Sequence, residues 1–382
     1  MKLIEQALVS ALVAITVAAS ATSAAQISAP VRWRGSIDLS IGGTDADDNS
    51  SFGQLSGLAV DKSGRIFTAD AQDNQIRVFS PTGDFVTRIG RVGSGPLEFK
   101  RLATIAIGPD ALLWARDEGN ARILAIDVAV SPARGIKNVP MQNFTGGSRL
   151  PMTFIADGSL VDETIWFDKS IDRFRPLRLR RTVAGTLSRT DTLPIPDGAF
   201  AGFHKVTQVQ KNASGKEVGM SERSYGQPFG AQWLRAYGPN GLRADVITSR
   251  YEIRIFDLNE RLVRTIKRTV LPITVSPRER NKSDSSLRAI KQQLPFGVPS
   301  AKAPIVGINW TQEGQLWVER AMADGAAREA DVFDQSGRWI AVAEWPRVID
   351  LFNGFPVIVG TTVTAMATDE NDVARIVRLR FR

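Results

Sequence analysis

Short runs in which apolar and polar residues alternate recur along most of the chain, and patterns with helical period are scarce. Ser56–Val60, Arg65–Ala69, Gln75–Phe79 and Asp84–Ile89 form one such series. The turn Asp61-Lys62-Ser63-Gly64 separates its first two members, and Ser80-Pro81-Thr82-Gly83 its last two. Alternation with period two puts one set of side chains on each face of a strand. Glycine, proline, serine and aspartate supply the positive or preset φ that tight reversals need. The series therefore predicts four antiparallel strands joined as hairpins.

The series repeats. Laying Phe52–Phe79 on Phe99–Ile126, an offset of 99 − 52 = 47, puts Val60 on Ile107, Ile66 on Leu113, Phe67 on Trp114, Asp70 on Asp117 and Ile76 on Ile123. The same grammar returns in Gly238-Pro239-Asn240-Gly241 with Ile253–Asp257, in Glu313-Gly314 before Gln315–Val318, and in Val332–Gly337, with a weaker copy at Ala156–Val161. Repeats of about 40–50 residues built from short strands mark propeller blades. Six units are expected, near residues 55–92, 103–140, 152–196, 229–269, 304–345 and 357–382. The fold expected is an all-β, six-bladed propeller with four-stranded antiparallel blades, in which Trp114 and Trp317 are core. The last unit is a strand short. Ser36–Gly42 resembles the outer strand Phe85–Gly90, and each is followed by a loop ending in phenylalanine, Phe52 or Phe99. The amino-terminal strand is expected to complete the carboxy-terminal blade, which removes exposed sheet edges.

Composition adds limits. The apolar run Ala7–Ala19 is too short to span a bilayer and is followed by Ser23-Ala24-Ala25, the small residues of a signal-peptidase site. Residues 1–25 are thus expected to be a signal peptide, with one domain over 26–382 that is exported, periplasmic or extracellular, monomeric and without a transmembrane segment. With no cysteine, disulfides, thiolate metal sites and cysteine nucleophiles are excluded. The net charge is +8, and Lys2 and Glu5 cancel, so removal of the leader leaves it unchanged. Such a surface favours anionic partners, a glycan or envelope component. Arg375, Arg378, Arg380 and Arg382 alternate with Ile376, Val377, Leu379 and Phe381 as an amphipathic strand, not as a nucleic-acid-binding stripe.

Insertions fall on one face. Turns between strands one and two and between three and four are tight, whereas the opposite face takes the segments 43–51, 162–175, 197–228, 272–303 and 321–329. Insertions gathered on one face build binding surfaces. In the 272–303 insertion, Ser276-Pro277-Arg278-Glu279 is a capping box that predicts a helix from Pro277 to about Gln293, basic through Arg278, Arg280, Lys282, Arg288 and Lys291.

The blades resemble NHL-type repeats, carried by Asp117-Glu118-Gly119-Asn120-Ala121-Arg122-Ile123, although blade one has Asp73 and Gln75 in the asparagine and arginine slots. The chain also resembles a family of exported bacterial six-bladed β-propellers. That likeness rests on Gly93-Ser94-Gly95-Pro96-Leu97-Glu98-Phe99, Arg250–Asp257, Leu316-Trp317-Val318 and Asp369–Leu379. It implies fold and export, and brings no general activity and no catalytic residues.

Candidate chemistry is sparse. His204 is the only histidine, so a three-histidine zinc site cannot be built, and no G-x-S-x-G elbow accompanies it. It reads as a loop residue. Asp45-Ala46-Asp47-Asp48-Asn49 has oxygen spacing suited to calcium but lacks the glycine and glutamate that complete such a loop. Asp70, Asp117 and Asp369 occupy comparable second-to-third loop positions. They either brace their own blades, Asp117 with Arg122, or converge on a divalent cation such as calcium, as in gluconolactonase-like propellers. Trp166, Arg250, Tyr251 and Arg320 join them as candidate ligand contacts beside the insertions. No catalytic residue is expected. The reading is a noncatalytic binding or interaction propeller using the inserted face and central channel. A metal-dependent hydrolase or lyase is the alternative.

Overall fold

A computed structural model describes residues 30–141, 150–288 and 290–382, so the expected signal peptide lies outside the described residues. Blade one is Leu55–Val60, Ile66–Asp70, Gln75–Phe79 and Phe85–Ile89. Blade two is Leu102–Ile107, Leu113–Asp117, Arg122–Asp127 and Arg134–Pro140. Blade three is Thr153–Phe154, Leu160–Asp168, Arg173–Arg181 and Leu187–Thr192. Blade four is Trp233–Tyr237, Arg243–Ile247, Glu252–Phe256 and Leu262–Lys267. Blade five is Ile305–Trp310, Leu316–Arg320, Arg328–Phe333 and Trp339–Trp345. Each is a four-stranded antiparallel run in chain order. Blade six has Val357–Val359, Thr362–Thr368 and Ala374–Phe381, and its fourth strand is Val31–Gly42.

Period-two alternation becomes a ring because both faces of a blade are buried. In blade one Ile66 packs toward blade six, with Ile41, Phe52 and Ile376, while Phe67 and Ala69 pack toward blade two, with Phe99, Leu102 and Leu113. Trp114 enters the joint between blades two and three, and Trp317 the joint between five and six. Six apolar clusters, one per neighbouring pair of blades, run round the ring. The joint between blades three and four has the thinnest cluster, Ile155, Val161 and Tyr237. Charged side chains fill it instead. Arg178 donates to Asp191 (2.7 Å) and to Glu260 (2.6 Å), Arg243 donates to Glu260 (2.7 Å), and Arg235 pairs with Glu163 (2.5 Å). Burial of Arg178 and Arg243 at 1% exposure each requires such partners.

The amino-terminal strand runs antiparallel to the last strand, from Gly35 opposite Phe381 to Gly42 opposite Arg375. It starts earlier than Ser36, and its first residues, Val31–Arg34, lie parallel to Ala341–Glu344 of blade five. Blades five and six therefore form one eight-stranded sheet. The expected likeness of the two outer strands is seen in detail. Gly42 and Gly90 have φ of +89° and +90°, and a Cβ on either would lie 2.7 Å from the Phe52 ring or 2.3 Å from the Phe99 ring. Each outer strand thus ends on a glycine that leaves room for the phenylalanine of the following link.

Three expectations are corrected. Segment 162–175 is not a loop but the extended ends of the two central strands of blade three, paired from Leu160 with Arg181 to Asp168 with Arg173. Segment 197–228 contains a two-stranded hairpin, Phe203–Lys211 with Glu217–Gly226, so His204 lies on a strand opposite Tyr225. The helix runs only from Pro277 to Leu287, followed by a 3-10 turn at Lys291–Gln293. Its capping box is complete, with Ser276 Oγ accepting from the Glu279 amide and Glu279 accepting from the Ser276 amide. It buries no residue, and the Ser286 hydroxyl bonds back to the Ser283 carbonyl, a local competitor of helical continuation. No helix among the described residues is long and apolar enough to cross a membrane.

Candidate functional site

Inserted segments meet over blades four to six. A cleft of about 1300 Å³ opens there, on the face of second-to-third loops. Its floor is blade five: Ile305 and Val306 at the start of the first strand, Glu319 and Arg320 at the end of the second, and Arg328 at the start of the third. The walls come from Glu279 and Lys282 of the helix, the loop Ala321–Ala326, the link Arg347–Asp350, and the blade-six turn Thr368–Asp372 with Thr44 and Asp45. Eight carboxylate side chains face six cationic ones, so the cleft does not share the basic balance of the whole chain.

Glu319 is the most perturbed group on the floor. It is 1% exposed, and burial pushes its carboxyl up to about 7, with Asp350 adding to the rise and Arg328 opposing it. Arg328 donates to Glu319 Oε1 at 2.7 Å and to Asp350 Oδ1 at 3.2 Å, and its Nε reaches the Arg347 carbonyl at 3.2 Å. On the far wall the Lys302 ammonium bridges Glu279 (2.5 Å) and the Met322 carbonyl (2.8 Å), tying the helix to the 321–326 loop. Glu279 is pushed up by burial and, more strongly, held down by Lys302 and the Ser276 amide, so it stays below its ordinary range.

The expected site residues separate into those in the cleft and those outside it. Arg320 lines the floor, paired with Glu329 and, at 3.4 Å, with Asp331. Asp369 lies at the rim, where the Thr44 hydroxyl at 2.7 Å and the amides of Val373, Asn371 and Thr44 hold its carboxyl down to about 2. Asp70 and Asp117 are fully buried braces. Asp70 accepts from the amides of Gly53 (2.9 Å), Gln54 (3.1 Å) and Gln72 (3.0 Å) and from Arg77 (3.0 Å). Burial raises its pKa, and those donors lower it further than burial raises it. Asp117 accepts from the amides of Lys100 and Arg101, from Asn120 (2.6 Å) and from Arg122 (3.4 Å). Each carboxylate thus ties strand two of its blade to the incoming link, and the three are not brought together. Among the described residues no three His, Asp or Glu side chains gather as a metal-ligand set. The Asp45–Asn49 run is spent locally, with Asp47 accepting from the amides of Asn49 and Ser50.

Tyr251 lies outside the cleft. It is 5% exposed between blades four and five, its hydroxyl 2.5 Å from Asp331, and burial beside that carboxylate raises its pKa strongly. Arg250 is exposed beside it, with Lys267 and Thr269, around a shallow depression. Trp166 is half-buried on the blade-three extension, away from the cleft. Sequence reasoning missed Glu319, Arg328, Asp350 and Arg375. Glu319 stands just before the 321–329 insertion and Arg328 at its far end, an opposite-charge pair that is the one signal that marked them.

Residues 45–144 match the family model described as a 6-bladed beta-propeller. No curated protein matches the chain. Among solved structures, a member of the duf4221 family from Bacteroides vulgatus aligns at a TM-score of 0.53 and 11% identity, over 93% of this chain and 99% of that one. The PQQ-bound aldose sugar dehydrogenase of Streptomyces coelicolor aligns at 0.47 and 14%, over 93% and 100%. The calcium-binding protein regucalcin from Agrobacterium tumefaciens aligns at 0.41 and 11%, over 92% and 97%. Only the first of these likenesses carries the fold, and none carries an activity. Six apolar joints, the strand pairing across the chain ends and the matched family model together make this chain a six-bladed β-propeller.

Proposed function

We propose that the chain is an exported binding propeller whose ligand site is the cleft over blades four to six. The observation that carries this reading is convergence. The helix of one insertion, the loop of a second, the link between blades five and six and the amino-terminal loop all wall one space, although 237 positions of the chain separate Asp45 from Lys282. Loops that grow neutrally have no reason to enclose a common volume, whereas a rigid ring carrying loops at one face is the usual way to build a site. Polar and charged lining suits a water-soluble ligand of mixed polarity. The brace roles of Asp70 and Asp117 leave the metal-dependent hydrolase or lyase without the donors it called for.

Thermal-shift screening of the purified protein against soluble saccharides and short peptides, repeated on Ala323→Trp, tests the reading. Ala323 is exposed on the cleft wall, so the indole fills the space without entering the core. Ligands that stabilise the parent and leave the variant unmoved support the cleft. Equal stabilisation of both would place binding elsewhere.

A further inference from the structure

One guanidinium in the cleft has lost the partner that its repeat provides. In blades one and two a third-strand arginine braces the aspartate of the second strand: Arg77 with Asp70 at 3.0 Å and Arg122 with Asp117 at 3.4 Å. In blade six that strand-two position is Thr368, and Arg375 lies opposite Ala367, so the carboxylate on offer is the next residue of the turn, Asp369. Asp369 is instead taken by Thr44 and by the amides of its own turn. Arg375 lines the cleft, makes no ion pair among the described residues, and has a buried Nε without a hydrogen bond. A cation held at a cleft wall with no carboxylate is a place for an anion.

The second feature is the Glu319–Arg328–Asp350 chain. Glu319 lines the cleft at 1% exposure and offers one oxygen to Arg328, and among the described residues no hydrogen bond reaches the other. The charges facing Glu319 are Arg328 from the next strand and Asp350 from the link. Across the cleft, Lys302 is committed to Glu279, and Arg320 to Glu329 and Asp331. Asp324 receives the Ser276 hydroxyl, Lys282, Arg347 and Asp45 line the walls, and blade six contributes Arg375 and the Asp369–Asp372 turn. While Glu319 is ionised, Arg328 is shared between two carboxylates and has little charge to offer.

Resting on the cleft as the binding site, we propose that its ligand is a carboxylate-bearing small molecule gripped by Arg328 and Arg375, and that Glu319 takes a proton from solvent as the ligand arrives. The proton neutralises Glu319 and frees half of the Arg328 charge. It also turns Glu319 into a hydrogen-bond donor toward the ligand oxygen. Proton and anion therefore enter as a neutral pair, which a cleft already carrying more carboxylates than cations accommodates. Phosphate, mostly a dianion at about pH 8, would there bring a charge that the single proton does not cancel, and at about pH 6 its tetrahedral monoanion does not match the planar carboxylate. A carboxyl that sits near neutrality can make this exchange under ordinary conditions.

Isothermal titration with galacturonate, galactose and inorganic phosphate, at about pH 6 and about pH 8, tests the proposal. Galacturonate should bind, with galactose and phosphate weaker by about tenfold or more, and its affinity should fall about tenfold between the two pH values, as a single required proton dictates. Glu319→Gln should keep binding and lose the pH dependence. Arg375→Gln should lose about tenfold or more while the circular dichroism spectrum stays unchanged. Galacturonate that shows no heat at millimolar concentration, binds equally at both pH values, or binds Arg375→Gln as it does the parent would overturn the proposal. If galactose and galacturonate bind alike and Ala323→Trp abolishes both, the cleft stands and the anion-plus-proton proposal falls. If Ala323→Trp leaves galacturonate binding intact, the cleft itself is wrong.

Discussion

Arg178 of blade three and Glu260 of blade four form a 2.6 Å ion pair across the joint where apolar packing is thinnest. Glu260 also holds Arg243 at 2.7 Å, so one carboxylate serves two arginines that are each 1% exposed. Glu260→Gln removes the charge and keeps the shape. Because Arg178 retains Asp191, the loss should sit near the lower end of the about 3–5 kcal/mol seen when one member of a buried pair is removed. Urea denaturation would measure it, and a loss under about 1 kcal/mol would mean that water already satisfies the joint.

Gly90→Ala should be costly. The backbone there is left-handed at φ +90°, and the added carbon would lie 2.3 Å from Phe99. Strain of about 1–2 kcal/mol and overpacking of about 1–3 kcal/mol add. Gly360→Ala is the control, since it sits in a blade-six turn of the ring at a left-handed φ of +55° and nothing lies within 4 Å. Equal midpoints for the two variants would contradict the packing account.

Stability should fall as pH rises through Glu319. Its folded pKa of about 7 exceeds the ordinary value of 4.5, so the fold favours the protonated form. That contribution is complete below about pH 4.5 and is lost as pH climbs through about 7. Glu319→Gln removes the loss, and its advantage over the parent should grow across this window by an amount on the order of 3 kcal/mol. Melting temperatures across pH would show it, and parallel curves would refute it.

Replacing 203–226 by a short glycine–serine link should leave the ring intact. The Gln227 amide already bonds to the Gly202 carbonyl at 2.6 Å, so the ends of the excised hairpin are adjacent. A stability change below about 1 kcal/mol is expected by calorimetry, since shortening a surface loop alters closure entropy little. A larger drop would make the arm part of the core.

Deleting Ala374–Arg382 strips Gly35–Gly42 and Thr362–Thr368 of their shared partner strand. Unpaired edges should then drive oligomers or insolubility, visible by size exclusion with light scattering. A well-behaved monomer would contradict the role given to this strand.

Blade boundaries were legible because turn chemistry and alternation stay in phase. Gly64, Gly83, Gly241 and Gly337 all adopt positive φ at the reversals their neighbours announce. Even the likeness of Gly42 with Phe52 to Gly90 with Phe99 was visible as a shared loop ending. The cleft was not. Glu319 is a polar strand end in the sequence, and its charged neighbour Asp350 arrives on a link whose Ile349 and Leu351 pack into the joint of blades five and six. Arg178 likewise sits in an alternating strand where arginine is expected to meet solvent, and only the arrival of Glu260 from the next blade shows otherwise. Local pattern fixes strands; the fate of a charged side chain depends on what arrives from elsewhere.

Val31–Gly42 is the first strand of the ring to be synthesised, and its antiparallel partner is the last. Until Ala374–Phe381 has been made, Gly35–Gly42 has no antiparallel mate and five blades must wait as an unclosed arc. Closure of so long a sequence separation is entropically slow, and partly assembled sheets are prone to mispairing. The ring is therefore open to mispairing until this one pair of strands meets, and shielding the two edges until then should raise the yield of closed ring.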